Sequence, residues 1–356
     1  MTRSPTVRFR AAVLTELGAP LILDELEAPP LRFGQVLVKI RCSGICGAQL
    51  NEIDGVKGPD PFLPHLLGHE ATAIVMDIGE GVRSVRAGDT VVCHWRKGAG
   101  IQAPTPTFAS ATLGTVNAGW VTTFGEYSIV SENRVTPIPE SLDPEVAALF
   151  GCAVTTAMGV LNNDAQLGIG ESLVVFGAGG VGLSLVQLAA MLAAHPIIAV
   201  DLHAHKLDLA RKLGATHTIL AGQADILGEL AAVVGSGGVD VAIETTGVAD
   251  VIEAAYEATS PRGRVVLVGV PGKNARHPSF YTLPLHFEKV LTGSEGGQSR
   301  PDVDIPKLVR LHEAGKLSLD QLVSTRCTLD GINDAISELR SGSIPGRCIV
   351  WMGDRP

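Results

Sequence analysis

Residues 172–182 read SLVVFGAGGVG, and this stretch decides the fold of the chain. The apolar residues 172–176 predict a buried strand, and the glycines after them fit the pattern Gly-x-Gly-x-x-Gly at a strand-to-helix turn. Gly177 permits the tight turn, Gly179 lets the backbone approach a pyrophosphate, and Gly182 lets helix and strand pack closely. The stretch therefore predicts a dinucleotide-binding turn.

The residues after this turn extend the prediction. Gly180 and Val181 open the helix, and its positive N-terminus favours a bound phosphate. Asp201 ends the next predicted strand, 24 residues after Gly177. A carboxylate there accepts hydrogen bonds from the ribose hydroxyls of NAD and repels the 2′-phosphate of NADP. Lys206 follows on the next helix, where it either reaches the ribose or is an ordinary solvated lysine.

Strand and helix patterns alternate through residues 154–293. The predicted strands are 172–176, 197–201, 217–220, 239–243 and 263–269. The predicted helices are 154–161, 181–194, 204–213, 223–234 and 249–258. Such alternation is typical of βαβ units, which build a parallel sheet. We therefore expect an α/β fold with a Rossmann-type, doubly wound parallel sheet over residues 154–293.

The flanking segments differ in pattern. Residues 1–153 carry short β-type runs, such as 35–41, 71–78 and 90–93, separated by glycine-containing turns. Residues 294–356 carry predicted helices at 305–314 and 329–340 and a last strand at 347–352. We expect residues 1–153 and 294–356 to form one discontinuous β domain.

The composition excludes several classes of function. The net charge is −9, whereas proteins that bind nucleic-acid phosphates are usually basic, so no nucleic-acid partner is expected. The first twenty residues lack a signal-peptide core, and no apolar stretch is long enough to span a membrane. The six cysteines are scattered without a Cys-x-x-Cys pair, which favours reduced thiols in a cytoplasmic protein.

Three separate segments carry candidate metal ligands: SGICG with Cys46, GHE with His69 and Glu70, and FGCAVTT with Cys152. Spacing alone does not select these residues from six cysteines and ten histidines. Together with the glycine turn, however, the segments resemble the zinc-containing medium-chain alcohol dehydrogenases. The likeness runs nearly end to end, from GQVLV at 34–38 to the last strand.

The resemblance implies a GroES-like fold for the β domain and a catalytic Zn²⁺ ion bound by Cys46, His69 and Cys152. Glu70 would be a neighbouring or exchanging ligand. Three protein ligands leave a fourth position for water or substrate, as catalytic zinc requires. A cation there stabilises an alkoxide that transfers hydride to the nicotinamide.

The resemblance also implies NAD as the second cofactor, bound with the zinc in a cleft between the domains. Thr156 would lie against the nicotinamide, and Val268 and Val270 would line its other side. Arg347, after Gly346, would hold the pyrophosphate unless it is only an edge-strand arginine. A homodimer or homotetramer is expected, with residues 278–291 as a candidate contact.

The chain departs from the family in two places. Many relatives carry a second, structural zinc bound by four cysteines, but the corresponding residues 96–102 read RKGAGIQ, so one zinc per subunit is expected. Where relatives have a serine or threonine that relays the alcohol proton, this chain has Ala48, and Gln49 follows.

The missing relay leaves three interpretations open. The proton passes to Glu70, His65, Asn51 with water, or a substrate hydroxyl; or the enzyme is an NADH-dependent reductase of an activated C=C or C=N bond; or activity has been lost. In the last case the chain would be a binding protein that keeps the cofactor fold, against which the three intact ligands argue.

The substrate class is suggested by residues 94–127, which hold five aromatic side chains. The resemblance places Trp95 in the substrate pocket, and His94, Arg96 and Lys97 surround it. Polar and cationic neighbours favour a polar small-molecule substrate, such as a polyol, an aminocyclitol, or a sugar or nucleoside derivative. The alternative is that Arg96 and Lys97 point to solvent.

Overall fold

The computed structural model describes residues 7–222 and 225–353. Contacts divide the chain into two compact units. The first contains the chain up to Cys152, Arg300–Glu313 and the chain from Ser318 onward. The second contains Ala153–Ser299 and Ala314–Leu317. The sequence predicted that the chain leaves the second domain at residue 294, which is six residues before the observed boundary at Arg300. The boundary lies later because the segment up to Ser299 stays packed in the second unit.

The second unit is built on a parallel sheet. In sequence order its strands, as far as the chain is described, lie 3-2-1-4-5-6. Across the sheet they are His217–Leu220, Ile197–Asp201, Leu173–Phe176, Val239–Glu244, Thr259–Leu267 and Val290–Gly293. This order reverses direction beside the strand that precedes the glycine turn, which is where doubly wound folds bind their ligands. The predicted parallel sheet is confirmed.

Helices connect these strands, as the alternation predicts. They are Ala153–Gly159, continued by a π-helical turn at Val160–Asp164, and then Gly180–Met191, Ala204–Lys212, Ile226–Val234 and Ala249–Ala258, with a short 3₁₀ turn at Leu283–Phe287. The helix predicted at 223–234 begins at Ile226, and the first two residues of that prediction lie outside the described part of the chain. The central strands Leu173–Phe176 and Ile197–Asp201 are apolar because both faces are covered.

The first unit is a β domain with a small closed barrel and a larger sheet. The barrel contains Arg8–Leu14, Ile22–Glu27, Thr107–Ser110, Gly114–Asn117 and His65–Leu66. The sheet runs Val135–Pro137, Thr90–His94, Glu70–Ile78, Gln35–Ile45, Arg347–Trp351 and Val323–Thr328, with Tyr127–Ser131 paired to Gln35–Ile45. The last strand of the chain thus pairs with an early one, and the predicted discontinuity follows from this pairing.

The first unit also contains four α-helices among the described residues. They are Gly47–Ile53, Pro144–Leu149, Pro301–Glu313 and Ile332–Ser341, with 3₁₀ turns at Glu132–Arg134, Asp320–Leu322 and Leu329–Gly331. The helix predicted at 305–314 begins earlier, at Pro301, and accommodates Pro306 within its length. Across the part of the chain that the structure covers, none of the helices combines the length and apolarity needed to cross a bilayer.

Candidate metal centre and nucleotide-binding turn

Cys46 sits where a long strand becomes a helix. The strand Gln35–Ile45 ends at the residue before it, and Gly47–Ile53 forms a short helix after it. Cys46 is the N-cap residue, with an extended backbone. Its side chain is 9% exposed, so the sulfur is held inside the unit rather than on its surface.

His69 and Cys152 each follow a glycine that cannot carry a side chain. At Gly68 the backbone has φ of +88°, and a Cβ atom would lie 2.4 Å from the Thr123 hydroxyl. At Gly151 a Cβ atom would lie 2.4 Å from the Cys93 carbonyl oxygen. These close approaches bring the two ligand-bearing segments against neighbouring strands, and glycine is required at both positions.

The three predicted ligands converge. One ligand atom from each of Cys46, His69 and Cys152 lies within 4.8 Å of the others, and no second such group occurs among the described residues. The Nε2 atom of His69 is buried without a hydrogen-bond partner. Two cysteine sulfurs and the Nε2 atom of one histidine form the donor set of a zinc site whose fourth position is open.

Electrostatics favour a thiolate at Cys46. The pKa of its thiol is held well below the ordinary value, because the Cys152 side chain donates a hydrogen bond to the Cys46 sulfur and the Arg347 guanidinium favours the charged form. These effects outweigh burial, which acts in the opposite direction. Since the thiolate is the form that binds metals, the protein environment prepares this ligand.

The remaining cysteines fit the interpretation of reduced thiols. Cys42, Cys93 and Cys348 are buried, and burial raises the pKa of Cys93 to about 12. Cys327 is half-buried, because it lies on the strand Val323–Thr328 at the end of its sheet.

Gln49 contacts the ligands but was not predicted to have a role. It is 1% exposed, and its Oε1 accepts the backbone N–H of Cys46 at 2.9 Å. Its Nε2 contacts Nδ1 of His69. A usable sequence signal exists, because a glutamine three residues into a helix often reaches back to the N-cap backbone.

Glu70 forms a buried ion pair with Arg347. Their side chains are 0% and 4% exposed, respectively. A Cβ atom at Gly44 would lie 2.4 Å from a carboxylate oxygen of Glu70, and one at Gly151 would lie 2.7 Å from its Cβ. Glu70 therefore fills the space between the two cysteine-bearing segments. The sequence did not predict this partner for Arg347, and its contact with a pyrophosphate stays a prediction.

The glycine turn of the second unit has the geometry that its pattern predicts. Gly177 has φ of +94°, and a Cβ atom there would lie 2.4 Å from the Thr245 hydroxyl. A Cβ atom at Gly182 would lie 1.9 Å from the Gly177 carbonyl oxygen, so close packing excludes any side chain. Gly179, in contrast, faces open space, where a ligand can approach its backbone.

Asp201 is tied to this turn. Its carboxylate accepts the N–H of Ala178 at 2.7 Å and the N–H of His203 at 2.9 Å. Lys206 is half-buried on the helix that follows. The acidic side chain therefore lies beside the glycine turn, as a ribose-binding carboxylate must.

Three further predicted nucleotide contacts, Thr156, Val268 and Val270, lie in the second unit. Thr156 is buried on the helix Ala153–Gly159, next to the backbone of Gly297. Val268 follows the strand Thr259–Leu267, and Val270 is 54% exposed two residues later. Both valines lie at the carboxyl edge of the parallel sheet, the edge that also carries the glycine turn.

His94 requires a correction. We expected it to surround the substrate, but its side chain is fully buried. One ring nitrogen contacts the Arg96 carbonyl oxygen at 2.7 Å and the other contacts the Thr136 hydroxyl at 3.0 Å. Burial lowers the pKa of His94 to about 4. Its ring is thus a neutral structural link with no nitrogen left for a substrate.

Trp95 and Arg96 remain as predicted pocket residues. Trp95 is half-buried, and the Arg96 guanidinium lies 5.7 Å from the centroid of its ring. Glu70 pairs with His94 across two antiparallel strands, so His69 and Trp95 leave these strands at the same end. Lys97 is exposed, which agrees with the solvent alternative for that residue.

The groups proposed for proton transfer differ in availability. Ala48 is exposed and has no hydroxyl. His65 contacts the Asp60 carboxylate at 2.9 Å and the Leu66 carbonyl oxygen at 3.0 Å, so both ring nitrogens face acceptors. Glu70 is paired with Arg347 through one carboxylate oxygen, whereas its Oε2 atom is buried without a hydrogen-bond partner.

Comparisons with known proteins agree with this geometry. The alcohol dehydrogenase GroES-like domain matches residues 32–140, and the zinc-binding dehydrogenase domain matches residues 180–313. The chain is 33% identical over 363 residues to the NDMA-dependent alcohol dehydrogenase of Amycolatopsis methanolica, covering 94% of this chain and 97% of that one.

Two further relatives have different substrates in their names. The S-(hydroxymethyl)glutathione dehydrogenase of Escherichia coli is 31% identical over 362 residues, covering 94% of this chain and 98% of that one. The crystal structure of benzyl alcohol dehydrogenase from Acinetobacter calcoaceticus is 30% identical, with a TM-score of 0.87, covering 98% of this chain and 100% of that one.

Proposed function

Because this chain belongs to the zinc-containing medium-chain alcohol dehydrogenase family, we propose that it transfers hydride between NAD and an alcohol or carbonyl group with the aid of one zinc ion. The observation that carries the proposal is the convergence of Cys46, His69 and Cys152 within 4.8 Å. These segments are far apart in sequence, and ordinary packing gives no reason for two thiols and an imidazole to meet.

The residues fit zinc by their chemistry. Cys46 and Cys152 supply soft sulfur donors, and His69 supplies a buried Nε2 atom without another partner. A zinc ion in such a set supplies a Lewis acid that stabilises negative charge on an alcohol or carbonyl oxygen. The side chain of Glu70, paired with Arg347, fills the space between the two cysteine-bearing segments.

The choice of NAD over NADP rests on Asp201. Two backbone N–H groups fix its carboxylate beside the glycine turn, so the negative charge cannot swing away. A 2′-phosphate would meet this charge directly. Gly179 and the N-terminus of the helix Gly180–Met191, which has no side-chain cap, are available to the pyrophosphate.

The proton of the alcohol needs a route that avoids residue 48. Ala48 has no hydroxyl, both ring nitrogens of His65 have partners, and Glu70 is fully buried beside Arg347, so it cannot pass a proton directly to solvent. Of the routes that the sequence left open, this favours Asn51 with water or a hydroxyl of the substrate. A substrate with several hydroxyl groups would supply such a relay itself.

A polar small-molecule substrate follows from the same reasoning. Arg96 lies over Trp95 at the end of the strand that pairs with Glu70. An aromatic ring with an adjacent guanidinium suits a polyol, an aminocyclitol, or a sugar or nucleoside derivative better than an aliphatic alcohol. The loss of His94 from this set leaves the proposal dependent on Arg96 and Trp95.

Ala48 also favours a second candidate, the NADH-dependent reduction of an activated C=C or C=N bond. Such a reaction delivers hydride to a carbon without needing an alcohol proton relay. Product analysis with deuterated NADH separates the two reactions. Deuterium on the carbon of the former C=O group excludes the reductase. Deuterium on a carbon of the former C=C or C=N bond excludes the dehydrogenase.

We further propose a homodimer or homotetramer in the cytoplasm. The exposed apolar side chains Tyr281, Leu283, Phe287 and Val290 cluster in one segment, and Tyr281 is 72% exposed. The strand Val290–Gly293 ends its sheet in the described chain. A second copy that covers this segment would bury these side chains. No disulfide joins the cysteines of the described residues, which suits a reducing compartment.

An activity screen tests the proposed function. The purified enzyme is incubated with NAD and a panel of polyols, cyclitols and sugar phosphates, with and without a chelator. We expect NADH absorbance with at least one polar alcohol, little with NADP, and loss of activity in chelator that zinc restores. Turnover that persists after all zinc has been removed would contradict the proposal.

A further inference from the structure

The side chain of Gln49 lies between two polar groups, the backbone N–H of Cys46 and the ring of His69. Its Oε1 accepts the backbone N–H of Cys46 at 2.9 Å, and its Nε2 contacts Nδ1 of His69. A carboxamide has an acceptor at one end and a donor at the other. Because Gln49 is 1% exposed, water does not readily replace either partner.

This arrangement determines which nitrogen of His69 carries the proton. Because the Cys46 N–H can only donate, the carboxamide oxygen must face it, and the NH₂ group then faces His69. Nδ1 of His69 accepts from this NH₂ group, and the proton of the neutral ring is on Nε2. That nitrogen is buried and has no hydrogen-bond partner. A ring in this form presents an N–H group, not a lone pair, towards the two cysteine sulfurs, so it cannot bind a metal through Nε2.

Metal binding through Nε2 requires the opposite tautomer. The proton then sits on Nδ1, and this N–H faces the NH₂ group of Gln49, a donor against a donor. If the carboxamide rotates, its oxygen accepts from His69, but its NH₂ group then faces the N–H of Cys46. One oxygen cannot serve two buried donors at opposite ends of the carboxamide.

We propose that Gln49 is a positioning residue whose carboxamide reverses when His69 takes up zinc, and that it thereby weakens the hold of this site on the metal. The inference rests on the proposed function, because it takes zinc to be the ion that Cys46, His69 and Cys152 bind. When zinc binds, one of the two hydrogen bonds of the Gln49 carboxamide is lost. Zinc therefore dissociates more readily than from the same three ligands without this conflict.

Gln49→Glu is the decisive variant. A carboxylate of the same length accepts from Cys46 and from Nδ1–H of His69 at once, whether or not metal is bound. Such outer partners of a histidine ligand change metal affinity by about 10–100-fold. Gln321→Glu is the matched control, since it makes the same substitution at an exposed position on a 3₁₀ turn that carries none of the proposed ligands.

The first readout is zinc affinity, measured by competition with a chromophoric chelator. We expect Gln49→Glu to bind zinc about 10–100-fold more tightly than the wild type. Gln321→Glu should change the affinity by less than about 3-fold, because exposed charges are screened. Equal affinities for wild type and Gln49→Glu, or an equal gain in Gln321→Glu, would overturn the inference.

The second readout is the ¹⁵N spectrum of the histidine rings, with the His69→Asn variant used to assign the signal. The metal-free wild type should show a proton on Nε2 of His69, and the zinc form a proton on Nδ1. Metal-free Gln49→Glu should already show the proton on Nδ1. A metal-free wild type with the proton on Nδ1 overturns the inference even if Gln49→Glu does not fold.

The two proposals fail differently. If the wild type binds no zinc at Cys46, His69 and Cys152, both the proposed function and this inference fail. If the wild type binds zinc at these residues but Gln49→Glu binds it no more tightly, the proposed function stands and only the role of Gln49 is lost.

Discussion

At the scale of single residues, the sequence predicted the ligands but not what surrounds them. Cys46, His69 and Cys152 were selected by resemblance, and the structure brings their ligand atoms together. Gln49 was not predicted to have a role, yet it contacts His69. The burial of His94 was also unpredicted, because its partner Thr136 lies 42 residues away and only the folded sheet joins them.

Loss of a ligand should release the metal. We expect Cys46→Ser to lower zinc affinity by more than about 100-fold, since even outer partners of a ligand are worth 10–100-fold. Zinc content after dialysis and turnover with NAD should fall together. Cys327→Ser, which changes a half-buried thiol on another strand, is the control and should keep its zinc. A Cys46→Ser protein that retains stoichiometric zinc would contradict the ligand assignment.

Asp201 should decide between the two cofactors. Asp201→Asn removes the charge that a 2′-phosphate would meet, so the ratio of kcat/KM with NAD to kcat/KM with NADP should fall about tenfold or more. Steady-state kinetics with both cofactors measure this ratio. Asp208→Asn, on the exposed side of the next helix, should leave it unchanged. An unchanged ratio in Asp201→Asn would show that selectivity lies elsewhere.

At the scale of elements, the bounds of strands and helices were predicted correctly where the local sequence pattern sets them. The strand His217–Leu220 and the helix Ala249–Ala258 have the predicted bounds, because apolar periodicity and turn residues set them. The short strands Thr107–Ser110 and Gly114–Asn117 were not predicted. They are partly polar, and pairing with Ile22–Glu27 and His65–Leu66, not local pattern, makes them strands.

The segment at 96–104, where relatives place a structural zinc, is held by hydrogen bonds. The Glu132 carboxylate accepts the N–H groups of Arg83 at 2.7 Å, Ser84 at 2.9 Å and Ile101 at 2.8 Å. Burial raises the pKa of Glu132, but these backbone donors outweigh it and bring the pKa below the ordinary value. One carboxylate therefore fastens this segment to a neighbouring turn.

Glu132→Gln should destabilise the first unit. We expect a loss of about 1–3 kcal/mol in the free energy of unfolding at pH 7, because an amide cannot accept at both of its ends. The pKa of Glu132 is lower when folded, so this contribution is present above the ordinary glutamate pKa and is lost as the pH falls through the folded value.

Urea unfolding at several pH values tests this expectation. The difference between wild type and Glu132→Gln should narrow as the solution becomes acidic. Glu140→Gln, an exposed site, is the control and should match the wild type throughout. A difference that is absent at pH 7, or that grows on acidification, would show that Glu132 does not act as a charged acceptor.

At the scale of the whole molecule, the family resemblance is confirmed. The two family models and relatives at 31–33% identity identify an alcohol dehydrogenase with GroES-like and Rossmann-type domains. The sequence could predict this much because the glycine turn and the Gly68-His69-Glu70 segment are specific patterns. It could not predict the substrate, since relatives of equal similarity are named for molecules as different as benzyl alcohol and S-(hydroxymethyl)glutathione.

The proposed assembly predicts one sensitive surface. Phe287 is 65% exposed within the apolar segment, so Phe287→Lys should shift the protein towards monomer by placing a charge in the contact. Light scattering after size-exclusion chromatography measures the mass. Ile169→Lys, at an 87% exposed site elsewhere in the same unit, should not change it. A Phe287→Lys protein with the same mass as the wild type would place the contact elsewhere.

The most direct test of the central claim is the zinc K-edge X-ray absorption spectrum of the purified protein. The account predicts one zinc per chain with two sulfur neighbours at about 2.3 Å and one imidazole nitrogen at about 2.0–2.1 Å, completed by one light atom. A shell of four sulfurs, a shell without sulfur, or a protein that contains no zinc would contradict the convergence of Cys46, His69 and Cys152 on a single ion.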